Sequence, residues 1–122
     1  MTNENEYPLQ LGEGYVCFWD NPITNDHSDA TDEGHFEFSF IKEKLKEIFQ
    51  VPNSFIGVTD YHGNTIQFSI NENCEASLDI PKPKEKGSMS KKTNLEEALS
   101  IIDLKAENFQ TIKIDNLFFE RW

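Results

Sequence analysis

Between Ser54 and Ile80 apolar and polar side chains alternate with a period of two, and the pattern breaks at His62-Gly63-Asn64. Before the break Ile56 and Val58 interleave with Phe55, Gly57 and Thr59; beyond it Ile66, Phe68 and Ile70 interleave with Thr65, Gln67 and Ser69. Alternate residues of a strand share a face, so two such runs around a Gly-containing turn predict a β-hairpin. A third run, Ala76 to Ile80, stops at Pro81, whose missing N–H cannot continue a central ladder. The centre of the chain is therefore expected to be a three-stranded meander with one apolar face that other elements must cover.

Elsewhere the period changes. Phe36, Phe38 and Phe40 alternate like a strand, but Ile41, Leu45, Ile48 and Phe49 fall on one stripe of a helix, with Lys42, Glu43, Lys46 and Glu47 off it. The spacing predicts a helix over 38–49, ended before Pro52. Asn94-Leu95-Glu96-Glu97 has the form of a helix cap, and Leu95, Ala98, Leu99, Ile102 and Ala106 form the buried stripe of the helix that follows. Tyr15 to Trp19 is a compact apolar run, stopped by Asp20-Asn21-Pro22, and is expected to be a buried strand. Thr111 to Asp115 alternates again, and Leu117-Phe118-Phe119 prolongs it as a closing strand that ends in Glu120-Arg121-Trp122. Residues 1–13 read as a frayed lead-in, 20–35 as an exposed acidic loop, and 81–94 as a basic loop punctuated by Pro81, Pro83 and Gly87. The fold expected over residues 1–122 is a single α+β domain, an antiparallel sheet of about five strands covered by two amphipathic helices.

Charge changes this picture more than composition does. The 122 residues carry 22 acids against 11 Lys and Arg, a net charge of −11. Residues 1–41 hold nine of the acids (Glu4, Glu6, Glu13, Asp20, Asp26, Asp29, Asp32, Glu33 and Glu37) and no Lys or Arg, so the remainder of the chain is only −2. A field this one-sided repels nucleic acid and anionic membrane surfaces and steers cationic partners toward itself. Two readings stand side by side: a solvated, solubilising loop, and a docking surface for a basic protein. Ten Phe and two Trp supply core area, while no run approaches the eighteen or so apolar residues of a membrane span. The first residues lack the basic and apolar regions of a secretory signal, which leads to the expectation of a cytoplasmic protein. Cys17 and Cys74 are too few for a disulfide framework or a zinc site and are expected to be buried thiols.

Candidate chemistry is sparse. His27 and His35 stand among Asp26, Asp29, Asp32 and Glu33, ligand types that suit a divalent metal, but the spacing matches neither a zinc-protease nor an EF-hand pattern, and no metal or other cofactor is expected. His62 sits in the hairpin turn, where His tolerates a positive φ. Ser88 has no base that spacing identifies, neither cysteine has a catalytic signature, and no Gly-rich loop is set to cradle phosphates. The chain is therefore expected not to be an enzyme.

The order of elements carries a resemblance. Ser54-Phe55-Ile56-Gly57-Val58-Thr59-Asp60 leads to Gly63-Asn64-Thr65-Ile66-Gln67-Phe68, then to Leu78-Asp79-Ile80-Pro81, Gly87-Ser88 and the helix from Leu95 to Leu104. Over residues 38–105 this resembles several small immunity-protein families of bacterial polymorphic-toxin and contact-dependent growth-inhibition systems. The resemblance implies an inhibitor that occludes the active site of a cognate toxin C-terminal domain, commonly a nuclease; separately, the exposed strand edges of a small open sheet leave the chain a monomer or a weak homodimer. A nuclease presents a basic cleft to its polyanionic substrate, and a concentrated acidic surface can fill such a cleft. On that reading the docking acids are Asp26, Asp29, Asp32, Glu33 and Glu37, with Trp122 as an aromatic anchor and Trp19 more readily placed in the core. A non-catalytic binding or regulatory subunit of a cytosolic assembly is the alternative.

Overall fold

The computed structural model describes residues 14–28 and 35–122, and the lead-in at 1–13 lies outside them. Eight strands, β1 (Gly14–Asn21), β2 (Asp26–Ser28), β3 (His35–Glu37), β4 (Phe55–Thr59), β5 (Thr65–Ile70), β6 (Ala76–Lys82), β7 (Gly87–Thr93) and β8 (Phe118–Arg121), accompany two α-helices, α1 (Phe38–Ile48) and α2 (Leu95–Asp103). The strands form one open antiparallel sheet in the order β2-β1-β4-β5-β6-β7-β8, with β3 also paired to β1. Asp26–Ser28 pairs with the end of β1 and His35–Glu37 with its beginning, so β2 and β3 share one lane on the same edge. From that lane α1 carries the chain across β1 to β4.

The expected meander is present as β4, β5 and β6, in the register Ile56↔Phe68 and Phe68↔Leu78. Its apolar face joins Tyr15, Cys17, Ile41, Leu45, Ile48, Ala98 and Ile102 in one core beneath the helices. α1 starts and ends where its stripe predicts. Ser54 Oγ lies 2.9 and 2.7 Å from the carbonyl oxygens of Ile48 and Val51, which ties the end of the helix to the start of β4. Asn94 caps α2 by accepting from the Glu97 N–H at 2.8 Å. The Glu97 carboxylate does not complete a box but takes Thr93 Oγ1 and Lys91 Nζ instead.

Five expectations are corrected. Among the described residues the sheet has eight strands in place of about five, because segments read as loops pair into it. The 20–35 region opens with a tight turn and the strand β2, since Asn21 Oδ1 accepts from the N–H of Ile23 and Thr24 and folds the chain straight back along β1. The 81–94 region is a hairpin: β6 runs through Pro81 to Lys82, a 3-10 turn spans Pro83–Glu85, and β7 returns. Pro81 is tolerated because β5 pairs with β6 only from Ala76 to Asp79, so at residue 81 the ladder continues on one side alone. Thr111 to Asp115 is not a strand; its first residue ends a 3-10 turn at Phe109–Thr111, and the closing strand is Phe118–Arg121. In the hairpin turn the positive φ of 84° belongs to Gly63 and not to His62.

Two details fix neighbouring elements against one another. On the sheet face away from the core, Gly57 lies directly under the Phe18 ring, so a larger residue at this position of β4 would have to displace that ring. Asp60, 4% exposed, accepts four N–H groups: those of His62 and Asn64 at 2.8 and 2.9 Å, the Asn64 amide at 3.1 Å, and the Phe109 backbone N–H from 49 residues away. Nearby, Tyr15 donates to the Ala106 carbonyl at 2.7 Å; burial, with Tyr61 and Asp60 adding to it, holds the phenol far above its ordinary range as a neutral donor. These bonds fasten the α2–β8 connection to the hairpin.

Replacing Asp60 by alanine leaves the buried Phe109 N–H without an acceptor and frees the turn, and should lower stability by about 3 kcal/mol in urea unfolding. Asn94→Ala, which removes only a helix cap, should cost about 1 kcal/mol. Equal losses for the two variants would show that Asp60 does not secure the long connection.

Candidate partner-binding surfaces

The acidic segment meets the fold at the β2/β3 lane. Trp19, buried on β1, donates its indole N–H to Asp26 Oδ2 at 3.2 Å. Lys44, in the second turn of α1, reaches the same oxygen at 3.0 Å and Glu47 Oε1 at 3.0 Å, while Glu47 Oε2 accepts from the Asn21 amide at 2.8 Å. The Lys44 ammonium lies 4.7 Å from the centre of the Trp19 ring, within a cluster that also holds the stacked rings of Phe36 and Phe40. Cation, carboxylates and aromatic faces thus satisfy one another. The hydrogen bond from Lys44 holds the Asp26 carboxyl below its ordinary value. Burial alone works against the Lys44 charge, but the bonds to Asp26 and Glu47 outweigh it and raise its pKa.

Of the acids expected to dock a partner, Asp26 and Glu37 are described, and the structure places both on this lane. Asp26 stands opposite Asn21 and Glu37 opposite Gly14, at the two ends of β1 and about 23 Å apart at the rise of a strand. Asp26 is half engaged in the cluster, whereas Glu37 is exposed and precedes α1 without a side-chain capping bond. Asp29, Asp32 and Glu33 lie outside the described residues. Trp122, 69% exposed, follows β8 at the opposite edge, six strand spacings or about 29 Å across the sheet, and shares no patch with the acids. Trp19 is in the core.

Two surfaces escaped sequence reasoning. One is the β8 edge, where Phe118 and Phe119 are 57% and 43% exposed beside Trp122; it was hidden because an alternating apolar run reads as core until the sheet order is known. The other is a cleft of about 580 Å³ where the hairpin turn and β6 face the 109–117 segment, lined by Ile80, Pro81, Met89, Phe109 and Leu117, with Lys82 its one charged residue. No sequence spacing announces it, since its walls come from four separate elements.

Among the described residues no group of three or more His, Cys, Asp or Glu side chains is placed to hold a metal. No described helix is long and apolar enough to cross a membrane. Burial pushes the Cys17 thiol up to about 12, so it is inert. The expectation of two buried thiols is corrected at Cys74, which is exposed in the β5–β6 turn at φ 60°. That turn carries Asn, Glu and Asn, with no apolar residue to draw it inward. Comparison with protein-family models, with curated proteins and with solved structures gave no match.

The Lys44 cluster has a pH signature. The lowered carboxyl of Asp26 contributes stability that is present above the unfolded value near 4 and lost as pH falls through the folded one; the raised Lys44 contributes below its unfolded value near 10.4 and loses it above. Lys44→Met should therefore cost about 1 kcal/mol at pH 7, a modest figure because Asp26 is 44% exposed, and the gap to wild type should narrow by pH 3. Urea unfolding at both pH values measures it; an unchanged gap would mean that packing, and not charge, holds the cluster.

Proposed function

We propose that this protein is an immunity protein, a non-catalytic inhibitor that caps the basic active-site cleft of a bacterial toxin domain, a nuclease being the substrate-matched case. The observation that carries the reading is the segregation of charge: nine acids and no base in the first 41 residues, with the segment that bears five of them joined at both ends to a single sheet edge. That arrangement supports a concentrated negative edge on a folded platform, and a cationic cleft is its electrostatic complement. Long-range attraction of this kind speeds encounter, which is what protection against a toxin demands. Asp29, Asp32, Glu33 and Glu37 are the docking acids in this reading, while Asp26 also tethers their segment to Trp19 and Lys44. Occlusion of the cleft, and not chemistry at the inhibitor, silences the toxin.

The test is recovery and titration of the partner. Tagged protein drawn from its host at about 150 mM salt, where the Debye length is near 8 Å, should retain a basic toxin domain at equal stoichiometry. Against that purified domain, Asp29→Lys with Asp32→Lys should weaken binding at least about tenfold, chiefly through slower association, with folding unchanged. Trp122→Ala should leave the affinity within about twofold, since a side chain some 29 Å away lies beyond the contact. Undiminished binding by the double reversal would remove the acidic edge as the docking site. Retention of a housekeeping assembly instead would make the chain a regulatory subunit.

A further inference from the structure

The two edges of the sheet are built in opposite ways. The β2/β3 lane is broken into two three-residue strands and carries Asp26, His27 and Glu37, so it is short, interrupted and charged, as edges are when pairing is to be prevented. β8 is also short and carries Glu120 and Arg121, but it is unbroken and exposed at each of its four residues, between the partly buried Leu117 and the exposed Trp122. Phe118, Phe119 and Trp122 leave an exposed aromatic patch there that the opposite edge does not have.

The hydrogen bonding of β8 shows which of its backbone groups are free. Trp122 donates its N–H to the Lys86 carbonyl at 2.8 Å, in line with the pairing Gly87↔Arg121 to Ser90↔Phe118. In an antiparallel ladder alternate residues face the same neighbour. Residues 118, 120 and 122 therefore bond to β7, and Phe119 and Arg121 direct their N–H and C=O groups away from the sheet. That outward row is a template for one more strand.

We infer that the strand which fills it is β8 of a second copy of this chain, paired antiparallel about a two-fold axis at Phe119. Two observations choose this occupant. A two-fold axis normal to the sheet keeps each face continuous, so only residues of matching parity stand opposite one another. Centring it on Phe119 pairs the two Phe119 rings and sets Phe118 against Glu120 and Leu117 against Arg121. Centring it on Glu120 or Arg121 would oppose like charges, which is destabilising in a strand pair. Second, the acidic lane lies at the far edge, so joining at β8 holds the two concentrations of negative charge as far apart as the sheet allows. The contact pairs only the five residues from Leu117 to Arg121 of each copy, so the dimer is a weak, reversible one. It leaves both acidic lanes at the outer ends and does not depend on the toxin-inhibitor reading.

The experiment uses the whole purified chain without any partner. Sedimentation equilibrium at about 150 mM salt should show a concentration-dependent species at twice the 14.1 kDa monomer mass. Arg121→Pro removes an outward N–H while sparing the bonds to β7, and should shift the protein to monomer with its circular dichroism and unfolding midpoint unchanged. Should that proline disturb the strand, Phe119→Lys and Phe119→Glu give an independent readout: each alone should be monomeric, and the two mixed should recover the dimer mass, because residue 119 faces its own copy. A wild-type chain that stays at monomer mass up to the highest soluble concentration overturns the proposal. So does a dimer that survives Arg121→Pro, or mixed charge variants that stay apart. Loss of toxin-domain capture by Arg121→Pro in a monomeric wild type would mean that a partner's strand takes this edge instead.

Discussion

A carboxylate surrounded by four N–H donors cannot easily be released to water or replaced by an apolar group, and Asp60 is such a carboxylate. Its charge is buried, and the cost of that burial is met only while the hairpin turn and the Phe109 backbone converge on it. The rest of the architecture follows from this convergence. Once the 109–111 turn is fixed against the β4–β5 hairpin, the chain that leaves α2 passes Ile80 and Met89 and forms one wall of the cleft. It then reaches β7 from outside and ends as the edge strand β8.

The opposite margin is held by a different balance. Lys44 reconciles Asp26 and Glu47 with the Trp19 face, and Asn21 closes the turn that starts β2. Here the acidic segment, which would otherwise be repelled by its own charge, is given one cation and one indole as a footing. The two margins of the sheet are therefore unlike: one charged and broken, the other aromatic and continuous. A domain with this polarity can present its acids to a cationic cleft at one side without self-association there, and can meet a second copy at the other.

Much of the interior was legible in the residues. The period-two runs located β4, β5 and the start of β6, and the stripe of Ile41, Leu45 and Ile48 located α1, because burial of one face imposes its period on the chain wherever an element is long enough to show it. Asn94 signalled its helix through a local bond that needs no distant partner. The lysine-rich hairpin was not legible. Pro81 and Pro83 read as breakers, and only the end of the β5 pairing at Asp79 explains why Pro81 can stand inside a strand. Thr111 to Asp115 alternated without becoming a strand, since Asp60 takes the Phe109 N–H and Asn108 takes those of Gln110 and Thr111, which closes a 3-10 turn at its start.

The site divides along the same line. That the negative charge is concentrated in the first third of the chain is a property of the sequence, and it alone suggested a cationic partner. What the sequence could not contain is distance. Asp26 and Glu37 on one edge and Trp122 on the other became separate surfaces only when the order of strands was known, and strand order is decided by which faces bury one another across long separations in the chain. Local periodicity reports that a residue is buried or exposed; it carries no information on which neighbour lies beside it, and so the sequence determined the interior strands and the helices while the fold decided the hairpins and edges around them.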